Sequence, residues 1–412
     1  MKAGIALLIT CSCLISVFAR EPNVMAAWVQ YSAKGVEARI VARTSCPAIN
    51  VNGRDMKMIM RASPTKNHPN IVCAAVISEV AKSVKINEMS LPIPQNSELK
   101  RIVVVGDTGC RLSDRHGLYQ ECNINSLWPF VHVAESINDA KPDLIIHMGD
   151  YVYRESPCPK GNSGCTGSPY GDTQKTWEAE LLHPTKKIHL AAPLLLVRGN
   201  HENCERAGFG WFRYFDAHEF TSKCEESTDP WIVNLPGMQI AVMDTAYVKN
   251  KKGASLGSLF ADQLAVVNPK LHQNTWLVTH RPFWGYGADD DSGKLVMLTK
   301  ALQSAVAVAG LSDMIKLIVA GHIHLAELLA FKGAFPPQLI SGNGGTQLVA
   351  SVQAPKQIDD IEIETQRVIN QYGFAVMESV VEKQNVWTIS FRDVAGRELE
   401  RCTLNNSGVT CD

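Results

Sequence analysis

The sequence lacks the features that would place the protein in a membrane or on a nucleic acid. Its 412 residues carry a net charge of −1, so no excess of positive charge is available to hold a polyanion. Beyond the N-terminal apolar stretch, no segment is long and apolar enough to cross a bilayer. We therefore expect a globular protein with no nucleic-acid partner, of a length that allows two or three domains.

Several familiar catalytic signatures are also missing. The sequence has no His-Glu-x-x-His zinc motif, no Walker phosphate loop and no dinucleotide-binding glycine pattern. One segment, 253–257, matches the Gly-x-Ser-x-Gly pattern of serine hydrolases. That motif requires a preceding strand, whereas lysine and asparagine occupy 249–252, so we interpret 253–257 as a glycine-rich loop.

The first residues have the pattern of a signal peptide. Lys2 precedes the apolar stretch 4–18, and the small-x-small pattern at 17–19 suits cleavage after Ala19. We predict a signal peptide at 1–19 and a protein exported to the periplasm or the extracellular space, with no membrane attachment after cleavage. An uncleaved anchor is the less favoured alternative, because the stretch is shorter than the ~20 residues that span a bilayer.

The cysteine content agrees with export. Ten of the twelve cysteines follow the predicted cleavage site, and none of these forms a Cys-x-x-Cys metal motif. An oxidising compartment would let neighbouring cysteines close as local disulfides, although the sequence alone does not fix their connectivity. The neighbouring pairs are Cys46 and Cys73, Cys110 and Cys122, Cys158 and Cys165, Cys204 and Cys224, and Cys402 and Cys411.

The chain divides into two regions by pattern. Residues 20–98 contain short strand-like stretches at 36–42 and 56–60 and a hairpin turn at 50–53, and we predict a small N-terminal β domain there. Residues 99–412 are predicted to form a catalytic domain, because apolar runs of strand length recur and alternate with helix-like stretches at 128–140, 259–267 and 296–308. This alternation is typical of an α/β fold, with the tail from Tyr372 adding strands to the catalytic sheet. The apolar runs are Ile102–Val105, Leu144–Met148, Leu194–Val197, Ile240–Met243, Trp276–Val278 and Leu317–Ala320.

Five of these runs lead directly into a short polar motif. Because ligands in α/β sheets bind beyond the carboxyl ends of the strands, we expect the five motifs to gather at one edge. Their Asp, Asn, Tyr and His side chains are ligands for iron, manganese, zinc or magnesium. The motifs are Gly106-Asp107-Thr108-Gly109, Gly149-Asp150-Tyr151-Val152-Tyr153, Gly199-Asn200-His201-Glu202, Thr279-His280 and Gly321-His322-Ile323-His324.

The ligand inventory is that of two adjacent metal ions, an arrangement most often found in phosphate ester hydrolysis. Asp150 is the natural bridging carboxylate, and Tyr153 lies about one helical turn further along the chain. His322 and His324 are two residues apart, so in extended backbone they share a face and each could serve one metal.

The motif set resembles the calcineurin-like metallophosphoesterase superfamily, and more specifically its purple acid phosphatase branch. That branch has GDxG, GDxxY, GNHE, a histidine and GHxH in this order. Gly109 stands where the wider superfamily has a histidine, and Tyr153 stands in the compensating position. The resemblance covers roughly residues 101–350, including a glycine turn at 341–345, and implies a four-layer α/β/β/α sandwich with a small N-terminal β domain.

The resemblance implies a ligand set and a reaction. Fe(III) would be held by Asp107, Asp150, Tyr153 and His324, and Zn, Mn or Fe(II) by Asp150, Asn200, His280 and His322. Hydroxide on the metals would attack a small phosphate monoester, while His201 contacts the phosphate or protonates the leaving group.

Two other functions are compatible with the motifs. The same metal site could act on phosphodiesters or nucleotides, and a non-enzymatic binding protein could use the scaffold. The intact ligand set argues against the second of these. The three aspartates at 289–291 are interpreted as a solvated loop, with cation binding or repulsion of polyanions as alternatives. The sequence does not predict the oligomeric state.

Overall fold

The computed structural model describes most of the chain after the N-terminus. The predicted signal peptide at 1–19 and the three aspartates at 289–291 lie outside the described residues. The side chains of 253–256 and 297 are also not described. The described residues are 23–94, 96–247, 253–272, 274–288, 294–297, 300–333, 335–350, 353–358, 360–381, 383, 385–406 and 408–412.

The N-terminal region consists of strands, as predicted. The predicted turn at 50–53 joins the third and fourth strands, and Asn52 and Gly53 have the positive φ angles (52° and 82°) of a tight hairpin. The predicted stretch 56–60 is divided between two strands. The strands are β1 (Val24–Ser32), β2 (Gly35–Ala42), β3 (Ala48–Val51), β4 (Arg54–Lys57), β5 (Ile59–Ala62), β6 (Ile71–Ile77), β7 (Val84–Ile86) and β8 (Met89–Leu91).

The next part of the chain alternates strands and helices. All six predicted strands are confirmed, and so is the helix predicted at 128–140. A short π-helix (Glu178–Leu182) and a 3₁₀ turn (Asn200–Glu202) accompany the regular elements. The elements from residue 101 to residue 279 are β9 (Arg101–Val105), β10 (Leu112–Ser113), β11 (Leu118–Tyr119), α1 (Phe130–Asp139), β12 (Leu144–His147), α2 (Gln174–Trp177), α3 (Ile188–Ala191), β13 (Leu194–Leu196), α4 (Gly208–Tyr214), β14 (Trp231–Leu235), β15 (Met238–Met243), α5 (Gly253–Val267) and β16 (Thr275–Thr279).

Two local predictions are wrong. The glycine-rich segment 253–257 begins helix α5 instead of forming a loop. The helix predicted at 296–308 starts only at Lys300, because Val296 pairs with Gly287 in a short hairpin. The remaining elements are a 3₁₀ turn (Asn268–Lys270), β17 (Tyr286–Ala288), β18 (Leu295–Met297), α6 (Lys300–Ala309), β19 (Ile315–Ala320), β20 (Ala326–Phe331), β21 (Gln338–Ser341), β22 (Gln357–Ile358), β23 (Ile361–Ile369), β24 (Gly373–Ser379), β25 (Trp387–Asp393), β26 (Glu398–Asn405) and β27 (Gly408–Cys411).

Two large sheets form the centre of the molecule. The 11-stranded sheet has the order β27-β26-β25-β24-β9-β12-β13-β1-β2-β6-β5, and the 8-stranded sheet has the order β14-β15-β16-β19-β21-β20-β23-β22. Side chains such as Ile146 and Val278 fill the core between the sheets. Helices α1 to α4 pack on the outer face of the larger sheet, and α5 and α6 on that of the smaller sheet. This four-layer α/β/β/α arrangement confirms the predicted fold class.

Four of the N-terminal strands, β1, β2, β5 and β6, continue the larger sheet, whereas β3, β4, β7 and β8 form a four-stranded sheet of their own. Strand β1 pairs in parallel with β13, with Gln30 opposite Leu194. Two arginines of this region bond to the end of α4: the buried Arg39 donates to the carbonyls of Tyr214 and Asp216, and the partly buried Arg61 donates to four carbonyls between 212 and 218. A domain boundary near residue 98 stays a prediction.

Five disulfides connect the neighbouring cysteines that the sequence suggested. All ten cysteines of the described chain are paired, so none of them offers a thiolate to a metal. Within the described residues, no helix combines the length and the apolar character needed to cross a membrane. The disulfides are Cys46–Cys73, Cys110–Cys122, Cys158–Cys165, Cys204–Cys224 and Cys402–Cys411.

Candidate dinuclear metal centre

The five motifs meet where the parallel strands of both sheets end. In the larger sheet β9, β12 and β13 are parallel neighbours and lead to Asp107, Asp150 and Asn200. In the smaller sheet β16 and β19 are parallel neighbours and lead to His280 and His322. The two sheets therefore present their motif loops to each other across one edge of the sandwich.

Three of the site residues have a strained backbone. Asp107, Asp150 and His322 have φ angles of 55°, 56° and 73°, in the left-handed region that non-glycine residues seldom adopt. Hydrogen bonds between motifs hold this geometry. The His322 N–H donates to Asp107 Oδ2 at 2.8 Å, and the His201 N–H donates to Asp150 Oδ1 at 2.8 Å. The backbone of one motif thus orients the carboxylate of another.

Two clusters of potential ligand atoms share Asp150. In one, the atoms of Asp107, Asp150 and His324 lie within 4.8 Å of one another. In the other, the same limit holds for Asp150, His280 and His322. Two triads with a common carboxylate have the composition of a dinuclear centre with one bridging ligand.

The structure also brings Tyr153 and Asn200, the two predicted ligands that are neither carboxylate nor imidazole, to these clusters. The hydroxyl oxygen of Tyr153 lies 2.8 Å from Asp150 Oδ2, 2.8 Å from His324 Nε2 and 3.2 Å from Asp107 Oδ1. The Oδ1 atom of Asn200 lies 3.1 Å from His280 Nε2. All seven predicted metal ligands therefore converge on one buried place.

Two of the histidines are oriented as metal ligands are. His280 Nδ1 donates to the Met148 carbonyl at 2.7 Å, and His324 Nδ1 donates to the Gln347 carbonyl at 3.0 Å. A neutral ring whose Nδ1 carries the proton turns the lone pair of Nε2 toward the cluster. His280 Nε2 then faces oxygens of Asn200 and Asp150, at 3.1 and 3.3 Å, and a cation among these electron-rich atoms would offset their repulsion.

His322 also suits a metal. Its Nδ1 atom is buried and makes no hydrogen bond within the described residues. Burial and the neighbouring Arg281 lower the pKa of His322 well below its usual value, so the ring is neutral and keeps a lone pair. The residues present therefore fit a pair of bound metal ions.

The position of Tyr153 requires a glycine at position 109. A Cβ atom at position 109 would lie 2.7 Å from the Tyr151 carbonyl oxygen and 2.9 Å from both N and Cδ2 of Tyr153. Those separations are too short for non-bonded atoms, so no side chain at 109 is compatible with Tyr153 in this position. The paired change inferred from the sequence thus has a packing reason.

The carboxylates of the centre have opposed pKa shifts. Burial and the charge of Asp150 raise the pKa of Asp107 well above its usual value. For Asp150, burial also acts upward, but His280 and His201 outweigh it and hold the pKa well below the usual value. Burial and the charges of Asp150 and Asp107 raise the pKa of Tyr153 as well. Of the two carboxylates, Asp150 is thus the one that keeps its charge to lower pH.

Two buried glutamates anchor the loops that carry the ligands. Glu202 accepts four backbone N–H groups, from Asp150 and Gly199 on one oxygen and from residues 151 and 152 on the other, at 2.8–3.1 Å. Glu180, in the π-helix, accepts the N–H groups of Cys110, Tyr153 and Arg154 at 2.8–3.1 Å. Neither glutamate has a predicted role from the sequence. For Glu202, its place in the third motif was the available signal, whereas Glu180 lies outside all five motifs.

His201 lies beside the centre, where the sequence predicted a catalytic group. Its ring packs on that of Tyr153 with 3.7 Å between centroids, and its Nε2 lies 4.0 Å from Asp150 Oδ2. Glu155 Oε1 lies 2.9 Å from His201 Nδ1 and 3.2 Å from Arg206 Nε. Burial and the charge of Arg206 lower the pKa of His201, against the pull of Asp150 and Glu155.

Two arginines that the motifs do not predict also lie beside the cluster. Arg281 Nη1 lies 2.7 Å from His322 Nε2, and the guanidinium carbon of Arg111 lies 5.3 Å from the centroid of the Tyr153 ring. Each of them follows a motif closely in sequence, and nothing else distinguishes them from other arginines of the chain.

The sequence matches the profile of calcineurin-like phosphoesterases over residues 100–326, more than half of the chain. The chain belongs to the calcineurin-like phosphoesterase family. All five motifs fall inside the matched range, and the family assignment makes the protein a metal-dependent phosphoric ester hydrolase with a small phosphorylated substrate. No curated protein sequence matches the chain.

Solved structures share the fold of this calcineurin-like phosphoesterase at low sequence identity. A purple acid phosphatase from yellow lupin (Lupinus luteus) seeds is similar with a TM-score of 0.58 and 12% identity, over 92% of this chain and 74% of that chain. PhoD is similar with a TM-score of 0.53 and 9% identity, over 94% of this chain and 91% of that chain. In both cases the similarity extends over the N-terminal strands as well as the matched range.

Proposed function

We propose that the protein is an exported phosphoesterase that hydrolyses small phosphate monoesters at a dinuclear metal centre. The observation that carries this proposal is the pair of ligand clusters joined by Asp150. On the precedent of the motif pattern, we assign Fe(III) to Asp107, Asp150, Tyr153 and His324, and Zn, Mn or Fe(II) to Asp150, Asn200, His280 and His322.

The bound metal ions would neutralise phosphoryl charge and acidify water. The protein's own contribution centres on His201, which we assign to protonating the leaving oxygen. The backbone N–H of His201 donates to Asp150 Oδ1 and fixes the backbone, and Glu155 Oε1 lies 2.9 Å from Nδ1, which leaves Nε2 on the side of Asp150. Because burial lowers the pKa of His201, the protonated form is populated mainly at acidic pH, which suits an acid phosphatase.

The assignment of ferric iron rests on Tyr153. The buried phenol has a pKa well above its usual value, so a phenolate requires a strong Lewis acid in direct contact. Its oxygen is within 3.2 Å of three other candidate ligands, as a shared metal ligand would be.

Export is supported by the five disulfides, which are typical of oxidising compartments. The predicted signal peptide is the second argument. The N-terminal sequence of the secreted protein tests this assignment, and a mature chain that still begins at Met1 would contradict it.

Metal analysis combined with a visible spectrum tests the proposed centre. We expect two metal ions per chain and a tyrosinate-to-iron charge-transfer band that disappears in Tyr153→Phe. Asp150→Asn should lose both metals and all hydrolysis of 4-nitrophenyl phosphate. A colourless, iron-free and fully active enzyme would refute the iron assignment, and an active Asp150→Asn variant would refute the bridging role.

A further inference from the structure

Strand β15 ends in two polar residues that belong to none of the five motifs. Asp244 and Thr245 follow Met243 directly, and both are buried. Of the six apolar runs in the sequence, this is the one that leads into no predicted metal ligand. Because β15 and β16 are parallel neighbours, Asp244 and Thr245 lie at the same edge of the smaller sheet as His280.

Asp244 is connected to the third motif through the buried side chain of Arg198. Arg198 Nη1 donates to Asp244 Oδ2 at 3.1 Å, and Arg198 Nε donates to the Glu202 carbonyl at 2.9 Å. The 3₁₀ turn Asn200–Glu202 begins two residues after Arg198 and ends at this carbonyl. The guanidinium therefore braces the turn that carries Asn200 against the end of a strand in the other sheet.

The carboxylate of Asp244 is itself held in place. Its Oδ1 accepts the N–H of Ala246 at 3.0 Å, and its Oδ2 also accepts the N–H and the hydroxyl of Thr228, both at 3.1 Å. These bonds fix the acceptor that Arg198 meets, so the third motif is referred to a rigid point of the smaller sheet.

Thr245 acts in the same way on the fourth motif. Its Oγ1 accepts the backbone N–H of residue 281 at 2.9 Å, directly after His280, and Thr279 Oγ1 donates to the carbonyl of 281 at 2.7 Å. The backbone that follows His280 is thus fixed by its neighbouring strand. Asn200 Oδ1 and His280 Nε2, which lie 3.1 Å apart, are therefore both anchored to the end of β15.

We infer that Asp244 and Thr245 are positioning residues that set the spacing of Asn200 and His280 and thereby the affinity of the second metal site; this inference rests on the proposed function. Asn200 and His280 are assigned to that site alone, and they come from different sheets. Residues that orient ligands in advance strengthen metal binding, because the ligands need not rearrange when the ion arrives.

The same contacts predict an effect confined to one site. Within the described residues, the hydrogen bonds of Asp244 and Thr245 lead to the third and fourth motifs and to no ligand that serves the first site alone. Those ligands are Asp107, Tyr153 and His324.

The experiment exposes the protein loaded with iron and zinc to a graded series of chelator concentrations and measures each metal that remains bound. In Asp244→Asn the affinity for zinc should fall about 10–100-fold, the usual loss when the support of a ligand is altered. Thr245→Val loses one neutral hydrogen bond, so a fall of about 3–10-fold is expected. In both variants the affinity for iron should change less than about 3-fold, and the visible band should keep its position.

Glu37→Gln is the matched control for the loss of a buried ion pair. Glu37 Oε2 lies 2.7 Å from Arg39 Nη2, with side chains 8% and 0% exposed, and Arg39 also donates to backbone carbonyls, as Arg198 does. This variant should lower the unfolding free energy of the metal-free protein and leave the affinities for both metals unchanged.

Activity distinguishes a positioning role from general damage. Hydrolysis of 4-nitrophenyl phosphate by Asp244→Asn should require more zinc for half-maximal activity, whereas kcat at saturating zinc should match that of the wild type. Unchanged zinc affinity in Asp244→Asn and Thr245→Val would overturn the inference, and so would equal losses of both metals. If Asp244→Asn does not fold, Thr245→Val alone decides. A wild type that binds fewer than two metals and cleaves no phosphate ester would instead refute the proposed function itself.

Discussion

Glu202→Gln is expected to loosen the centre without removing a ligand. The carboxylate of Glu202 accepts two N–H groups on each oxygen, and these belong to Gly199 and to the loop 150–152. Glutamine has the same shape, but its amide group places a donor where one of the oxygens accepts. Two backbone N–H groups therefore lose their acceptor.

The expected losses of stability and metal affinity follow from these four hydrogen bonds. A buried N–H group that is left without an acceptor costs about 1–3 kcal/mol, so two such groups cost roughly 2–6 kcal/mol of unfolding free energy. Since Asp150 has a strained φ of 56° that this cradle supports, the bridging carboxylate should also lose its orientation. Altered support of a ligand typically lowers metal affinity 10–100-fold, that is, about 1.4–2.8 kcal/mol.

Chemical denaturation of the metal-free protein and chelator competition on the loaded protein measure the two effects separately. Glu205→Gln is the matched control, because it removes the same charge from an exposed residue near the same motif. We expect this control to change each quantity by less than about 0.5 kcal/mol. A Glu202→Gln variant with wild-type unfolding free energy and metal affinity would refute the reasoning that the cradle holds Asp150.

Three other substitutions test separate parts of the structure. Gly109→Ala should lower the unfolding free energy by about 1–3 kcal/mol, measured by denaturation, because its methyl group would overlap the backbone of residues 151 and 153. In His201→Asn, the basic limb of the pH profile of kcat/KM should disappear; in the wild type that limb should have a pKa below the usual ~6.5 of imidazole, with activity lost as the pH rises. Arg61→Met should lower the unfolding free energy by about 3–5 kcal/mol, because three carbonyls at and after the end of α4 lose a charged donor while that of Asp216 keeps Arg39, and wild-type stability would contradict this.

The main features of the fold were predictable because they depend on local patterns. Strands such as β9 and β12 are buried on both faces, and a continuous run of Val, Ile and Leu marks this environment in the sequence. The rule that parallel strands present their carboxyl ends at one edge then brings Asp107, Asp150 and Asn200 together without any knowledge of the side chains.

The groups that support the ligands could not be predicted in the same way. Glu180 reaches Cys110, Tyr153 and Arg154 from a π-helix, and no periodic pattern in the sequence marks such a helix. The pairing of β1 with β13 joins residues more than 160 positions apart through a single register pair, Gln30 and Leu194, and strand pattern does not encode a partner at that distance. Hydrogen bonds between distant segments become visible only when the fold is known.

Three of the disulfides help to compensate the free-energy cost of the strained site residues. Three of them begin shortly after a site residue: Cys110 three residues after Asp107, Cys158 five residues after Tyr153, and Cys204 three residues after His201. A left-handed non-glycine residue costs about 1–3 kcal/mol, and a short-loop disulfide contributes roughly 2–4 kcal/mol by restricting the unfolded chain. Each of these cross-links closes a loop that leaves a ligand motif, and by restricting the unfolded chain it raises the overall stability that offsets the cost of the strained residues. The same cross-links leave the ligand side chains untouched, so the centre can be held rigidly without a further group competing for the metals.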